Sequence, residues 1–130
     1  MLGPEHPHTL TCMPNLARTY SDQGRYEEAG ELELKVLYQS KQVLGPEHPD
    51  TLTSMTNLAR TYSDQAKYEE AGELELQILD LSKKVLGPEH PDTLTSMDNL
   101  AKTYFYQGKY EEAEVLHLNV LDWNKKMLYQ

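Results

Sequence analysis

The amino-acid sequence repeats itself at a strict interval of 42 residues. Leu-Gly-Pro-Glu-His-Pro occurs three times, beginning at Leu2, Leu44 and Leu86. The units 3–44, 45–86 and 87–128 align without a gap; the first two are identical at 32 of 42 positions and the last two at 29 of 42. Self-similarity at a period of roughly 20–50 residues is typical of proteins that stack one structural unit. We therefore predict a single array of three like units over residues 1–130.

The first half of each unit predicts an amphipathic helix. Asp50 and Asp92 precede Thr-Leu-Thr-Ser-Met and are good N-caps, whereas His8 is a poorer one. Pro14 falls inside the same segment of the first unit and would cost about 3 kcal/mol in a helix interior, so we expect that helix to start near Met13 or to be kinked. Apolar residues then recur at steps of three and four, the period of a helix with one buried face. In the second unit they are Leu52, Met55, Leu58, Ala59 and Tyr62.

A turn and a second helix complete each unit. Gly24 and Gly108 stand in the turn, where a left-handed residue ends a helix; Ala66 takes this place in the second unit, where a positive φ would cost about 1 kcal/mol. Gly87 ends the second helix and Pro88 prevents its continuation. The second apolar stripe comprises Tyr68, Ala71, Leu74, Ile78, Leu79 and Val85.

These residues resemble the tetratricopeptide (TPR) pattern. Leu16, Ala17, Tyr20, Tyr26 and Ala29 fit its small and large packing positions, as do their counterparts 42 and 84 residues on. The 42-residue step and the Gly-Pro-Glu-His-Pro-Asp-Thr loop resemble the long-repeat subclass of kinesin light chains and the repeat arrays of fungal nucleotide-binding receptors. The resemblance implies an all-α, right-handed α-solenoid of three helix-turn-helix repeats. It also implies a non-catalytic scaffold whose first helices line a concave groove for an extended peptide.

The polar face of the first helices supplies the candidate peptide-binding residues. If the repeats stack, the asparagines at equivalent positions form one row and the basic residues three positions further on form a second row, in an otherwise acidic protein. Asparagine can both donate to and accept from a peptide backbone, and arginine can bind a carboxylate through two hydrogen bonds. We therefore predict an extended, acidic peptide as the partner. Pairing of Arg18 and Arg60 with Asp22, Asp64 or neighbouring glutamates is an equally weighted alternative. The predicted groove residues are Asn15, Arg18, Asn57, Arg60, Asn99, Lys102 and Tyr106.

The third unit departs from the other two. Phe105 and Tyr106 replace Ser-Asp near the groove and either anchor a partner's side chain or, as aromatics more often do, pack on a terminal or following element. Trp123 with Leu116, Leu128 and Tyr129 predicts an uncovered apolar C-terminal face. Such a face favours self-association through the repeat ends or marks a piece of a longer array. Stacking end to end without a peptide ligand is accordingly the alternative function.

The other polar residues are assigned to structure. His6, His48 and His90 recur in the loops an interhelical distance apart, too far to share a metal ion, and His117 is assigned to the surface. Glu27, Glu28, Glu31 and Glu33 are assigned to a solvated acidic back, where carboxyl groups lack the burial that acid–base catalysis requires. We find no catalytic motif in the sequence, and no set of catalytic residue types is confined to one unit. We therefore expect no enzyme activity, no metal and no cofactor.

Charge and composition exclude other classes of partner. Twelve Lys and Arg against 21 Asp and Glu give a formal net charge of −9, which repels nucleic acid and anionic membranes. The N-terminal segment has no hydrophobic signal region. Cys12 is the single cysteine, so no disulfide within the chain is available, and a reduced, cytoplasmic location is expected.

Overall fold

A computed structural model describes the backbone of residues 7–128 and the side chains of Met13 and of residues 15–126. Six α-helices follow one another along this part of the chain. The apolar stripes of the sequence predict two helices in each repeat, and six are observed. The second helix of the second repeat has the expected length of 18 residues. The helices are α1 (Pro7–Asp22), α2 (Tyr26–Val43), α3 (Pro49–Asp64), α4 (Tyr68–Val85), α5 (Pro91–Tyr106) and α6 (Tyr110–Leu128).

The helices form two compact units. Unit 1 ends at Lys67 and contains α1, α2 and α3, with α2 in contact with both of the others. Unit 2 begins at Tyr68 and contains α4, α5 and α6, with α5 in contact with both of the others. The helix pairs α1–α2, α3–α4 and α5–α6 fall within the predicted repeats 3–44, 45–86 and 87–128. A single array over 1–130 stays a prediction.

The apolar stripes form the core of each unit. In unit 1, Met55, Leu58 and Ala59 of α3 are at most 2% exposed, beside Val36 and Leu37 of α2. In unit 2, Leu79, Met97 and Leu100 form a buried cluster. Partly buried apolar side chains pack against this second cluster, namely Leu94, Tyr104, Leu116 and Val120. Each unit therefore buries the second helix of one repeat against the first helix of the next.

The turn inside each repeat has the predicted left-handed residue. Gly24 and Gly108 have φ values of 77° and 81°, and Ala66 has a φ of 61° although it carries a Cβ. The amide that follows the left-handed residue closes each turn: Lys109 N–H donates to the carbonyl of Tyr104 at 2.8 Å. The ammonium of Lys109 also lies 5.4 Å from the centre of the Tyr104 ring. The native turn of the second repeat therefore carries the strain of a positive φ at Ala66.

The loop between repeats corrects one prediction. Helix α3 begins at Pro49, and its N-cap is His48, whose Nδ1 accepts a hydrogen bond from the Asp50 amide at 3.0 Å. Asp50 therefore lies in the first turn of α3 and is not the cap that the sequence predicts. Proline is favoured at the first helical position, so the helix begins at Pro49, one residue before Asp50. The same geometry recurs at His90 and Asp92. The recurrent histidines thus begin the helices.

Helix α1 also starts earlier than predicted. It runs from Pro7 to Asp22 through Pro14, so the expected start near Met13 is wrong. Pro7 stands where Pro49 and Pro91 begin α3 and α5, and this loop chemistry outweighs the missing amide of Pro14. The His6 and His8 side chains, for which loop and weak-cap roles were predicted, lie outside the described residues. Within residues 7–128, none of the helices combines the length and apolarity that crossing a membrane requires.

Candidate functional site

Two glutamates are buried where one repeat packs on the next. Glu33 of α2 is 6% exposed and accepts a hydrogen bond from the hydroxyl of Thr61 on α3. Burial raises the pKa of the Glu33 carboxyl, while the Thr61 hydrogen bond and the Arg60 charge oppose that rise. This carboxyl lies beneath the polar face of α3, so it belongs to the packing of unit 1.

Unit 2 repeats the same arrangement. Glu75 of α4 is 8% exposed and accepts a hydrogen bond from the Thr103 hydroxyl of α5. Burial raises the pKa of Glu75 from 4.5 to about 7, in spite of the Thr103 hydrogen bond. The assignment of Glu33 to a solvated acidic back is therefore wrong. The helical period alone does not distinguish a buried carboxyl that has a hydrogen-bond donor from a solvated one. The threonine that follows each of these glutamates by 28 residues is the sequence feature that could have indicated the buried pair.

Small side chains allow this close packing. Gly30 and Gly72 precede the buried glutamates by one turn. A Cβ at position 72 would lie 3.4 Å from the Thr103 methyl and 3.6 Å from Gln107 Oε1. A Cβ at position 30 would lie 3.6 Å from the Thr61 methyl. Glycine and glutamate therefore form one packing feature in each unit.

The predicted groove residues lie on the first helices at equivalent places. Each asparagine precedes a basic residue by three positions, so the two share a helix face. Asn57 and Asn99 are half-buried, whereas Asn15 is exposed. Four other predicted residues on these helices are also exposed, namely Arg18, Arg60, Lys102 and Tyr106.

The basic side chains are open to solvent in each unit. Among the described side chains, neither Arg18 nor Arg60 has a carboxylate within salt-bridge distance, so the predicted pairing with Asp22 and Asp64 does not occur there. Asn57 lines a shallow hollow with Glu33, Val36 and Ser54. Unit 1 therefore combines a partly buried amide with an exposed guanidinium one helical turn away, whose charge also acts on the neighbouring Glu33 carboxyl.

An aromatic cluster lies at one end of unit 2. The Tyr106 and Tyr68 rings are stacked, with centres 5.1 Å apart and planes at 20°. Phe105 meets Tyr110 edge-on at 5.2 Å and Tyr106 at 6.0 Å. Phe105, Tyr106 and Tyr110 nevertheless stay 56–63% exposed. Phe105 packs on the following helix α6 as predicted, whereas Tyr106 packs on the preceding helix α4, and an apolar surface stays exposed.

Helix α6 also exposes apolar side chains, but the placement of Leu116 on the uncovered face is wrong, because Leu116 packs against the core cluster of unit 2. Leu121 is 48% exposed, whereas its counterpart Leu79 is 3% exposed. Trp123 and Leu116 are half-buried. His117 is at the surface, with its Nδ1 3.4 Å from Asp98 Oδ1. The predicted contributions of Leu128 and Tyr129 lie outside the described side chains.

The sequence profile of the tetratricopeptide repeat matches residues 15–84 and 67–122, which is most of the chain. The chain belongs to the tetratricopeptide repeat family. Comparison with curated proteins gives no significant match.

Solved structures agree with this assignment of the TPR chain. Two crystal structures of nearly identical TPR-like repeats of kinesin light chain type from Podosopora anserina, one of them a single-substitution variant, are each 36% identical to it. The variant has a TM-score of 0.88 over 99% of this chain and 61% of its own; the other has 0.87 over 97% and 60%. The predicted kinesin-light-chain-like TPR subclass and all-α repeat fold are confirmed. The chain spans about three fifths of the length of these proteins.

More distant TPR structures share the fold alone. BtubC (BKLC) from P. vanneervenii is 18% identical, with a TM-score of 0.84 over 95% of this chain and 49% of its own. The TPR domain of Arabidopsis FLU is 17% identical, with a TM-score of 0.76 over 90% of this chain and 95% of its own.

Proposed function

We propose that this TPR chain is a non-catalytic interaction module whose first helices bind an extended, acidic peptide. The family assignment supports the general role, because TPR repeats commonly act in protein interactions and scaffolds. The acidic preference comes from the basic side chains of α1, α3 and α5. Their partner would be a protein segment, bound without a cofactor in a reduced cytoplasmic setting.

The observation that carries the proposal is the state of Arg60 and Asn57. Arg60 is exposed and has no carboxylate within salt-bridge distance among the described side chains, although the protein carries an excess of acidic residues. A guanidinium in this state can bind a ligand carboxylate through two hydrogen bonds without first breaking a pair. Asn57, half-buried one turn away, offers an amide donor and acceptor to the ligand backbone.

The aromatic cluster adds an apolar element to the recognised sequence. Tyr106 follows Lys102 by four residues on α5, so both side chains share a helix face. Rings that are more than half exposed yet held by stacking lose little conformational freedom when a ligand side chain covers them. A peptide that combines acidic residues with one large apolar residue would use both Lys102 and Tyr106.

A binding titration tests the proposal. The probe is a fluorescein-labelled peptide of repeating Glu-Gly with one Leu, and repeating Lys-Gly with one Leu is its charge-reversed control. We expect fluorescence anisotropy to report binding of the acidic peptide alone. The variant Arg18→Glu/Arg60→Glu/Lys102→Glu should lose at least about tenfold in affinity, the equivalent of about 1.4 kcal/mol.

Equivalent lysines on the second helices provide a matched control. Lys41, Lys83 and Lys125 are exposed and separated by the same 42 residues. Changing these three lysines to Glu alters the formal net charge by the same amount as the first triple variant does, but leaves the first helices unchanged. Equal losses in both triple variants, or no binding of the acidic peptide to the wild type, would reject the proposal; circular dichroism checks that both variants fold.

End-to-end stacking is the weaker candidate. Leu16 and Leu121 are 44% and 48% exposed and could cover one another between two copies. However, α6 carries Glu114 at the position of Gly72, where a Cβ alone would already contact Thr103 and Gln107 of the next helix. We therefore assign the function to peptide binding.

A further inference from the structure

The shallow hollow beside Asn57 is a small polar space between α2 and α3. Glu33 and Val36 of α2 line it together with Ser54 and Asn57 of α3. The centre of a water-sized group has about 10 Å³ inside the hollow, which is room for one such group. The hollow therefore admits a single hydroxyl, methyl or amine group and no bulkier one.

The polar groups of this hollow mainly accept hydrogen bonds. The Ser54 hydroxyl donates to the Asp50 carbonyl at 3.1 Å, so the Ser54 oxygen is left to accept. The Glu33 carboxyl accepts the Thr61 hydroxyl and has further lone pairs. Burial raises the pKa of Glu33, and each added donor would stabilise its charged form. The hollow therefore favours a ligand group that donates a hydrogen bond.

Size and charge select among the donors that a peptide can offer. A lysine ammonium would bring a positive charge close to Arg60, whose own charge acts on Glu33. A backbone N–H is flanked by a carbonyl carbon and a Cα, which together exceed a water-sized space. A hydroxyl on a short side chain is neutral, is close to water in size and donates one hydrogen bond. Serine and threonine carry such a group.

We propose that this hollow binds the hydroxyl of a serine or threonine, so that the recognised peptide carries a hydroxyl residue within two positions of an acidic one. The inference rests on the proposed peptide binding by the first helices. Asn57 and Arg60 are separated along α3 by a rise of about 4.5 Å. An extended peptide advances about 3.3 Å per residue, so a carboxylate one or two residues from the hydroxyl can reach Arg60.

The second repeat supplies a substitution that tests the hollow. Ile78 stands at the position of Val36, whereas the glutamate, serine and asparagine recur. Ile78 is 5% exposed, so the equivalent place in unit 2 accommodates the longer side chain. Val36→Ile adds one carbon beside Glu33 and should fill the hollow, while α2 keeps an apolar residue at this position.

Two labelled peptides isolate the contribution of the hydroxyl. Each is the acidic Glu-Gly peptide with its one Leu, in which one glycine is replaced by threonine or by valine. The two side chains have the same shape, but valine lacks the hydroxyl. In fluorescence anisotropy we expect wild type to bind the threonine peptide about tenfold more tightly, the scale of a hydrogen bond to a charged group. This ratio should fall below about threefold in Val36→Ile and in Ser54→Ala, which act on different walls of the hollow.

Thr56→Ala is the matched control on the same helix. The Thr56 hydroxyl also donates to a backbone carbonyl, that of Leu52 at 2.9 Å, but Thr56 is not among the four residues that line the hollow. This variant should keep the wild-type ratio, and circular dichroism checks that each variant folds; either hollow variant decides the test if the other fails to fold.

Two results would overturn the hydroxyl site alone. One is equal binding of both peptides by wild type, and the other is a wild-type ratio that persists in a folded hollow variant. Loss of the ratio in Thr56→Ala as well would also contradict the site, because the effect would not be confined to the hollow. Failure of wild type to bind either peptide would instead overturn the proposed acidic-peptide function, and the hydroxyl site with it.

Discussion

The buried carboxyl of Glu75 makes the stability of unit 2 depend on pH. Its pKa is 4.5 when unperturbed and about 7 in the folded protein. Between these values the folded state binds more protons than the unfolded state, so the free energy of unfolding falls as pH rises. The displacement is equivalent to about 3 kcal/mol. This stabilisation is fully present below about pH 4.5 and is lost as the pH rises through about 7.

Glu75→Gln removes this titration while keeping an oxygen that accepts the Thr103 hydroxyl. Its added amide hydrogens lack a partner at this buried site, which costs about 1–3 kcal/mol at every pH. We therefore expect the variant to be less stable than wild type near pH 4. The free energy of unfolding of the variant, relative to that of the wild type, should rise by about 3 kcal/mol between pH 4 and pH 8. Urea denaturation followed by circular dichroism at a series of pH values measures this difference.

Glu73→Gln is the matched control, because Glu73 is exposed on the same helix. Its difference from wild type should stay within about 0.5 kcal/mol across the series. Glu33 contributes a pH dependence of the same sign in all three proteins, since its pKa is also raised by burial. An unchanged pH dependence in Glu75→Gln would refute the reasoning that burial raises the pKa of the Glu75 carboxyl.

Four further substitutions probe the helix ends and the packing between repeats, each measured by urea denaturation. Ala66→Gly should raise the free energy of unfolding by about 0.5–1 kcal/mol by relieving the positive φ, and Gly24→Ala should lower it by about 1 kcal/mol; equal signs would contradict the turn assignment. His48→Ala should lower it by about 1 kcal/mol through loss of the N-cap, and no loss would show that the cap is dispensable. Gly72→Glu should lower it by about 1–3 kcal/mol through overlap with α5, and an unaltered stability would undermine the explanation of Glu114.

The repeat period and the helical stripes predicted most of the fold. Met55, Leu58 and Ala59 are buried where a period of 3.6 residues places them, and Gly108 ends its helix in the expected left-handed conformation. These features depend on local chemistry and on one apolar face, which a sequence displays directly.

The polar interior was hidden from the same approach. Glu33 is buried because Thr61, 28 residues away, donates a hydrogen bond, and residues of α2 and α3 enclose the pair. Hydropathy assigns a carboxylate to solvent whatever its partner, so the sequence pattern placed Glu33 on the surface. Asp50 is not the cap because the helix begins one residue before it: Pro49 takes the first helical position, and the His48 imidazole accepts the amide of Asp50 itself.

The most direct test of acidic-peptide recognition by the first helices is a map of chemical-shift changes. Nitrogen-15 labelled protein is titrated with the Glu-Gly peptide and the assigned spectrum is followed. We predict that the side-chain amides of Asn57 and Asn99 and the guanidinium of Arg60 shift together and saturate at one affinity. Shifts confined to second-helix residues such as Lys41 and Lys83 would contradict it.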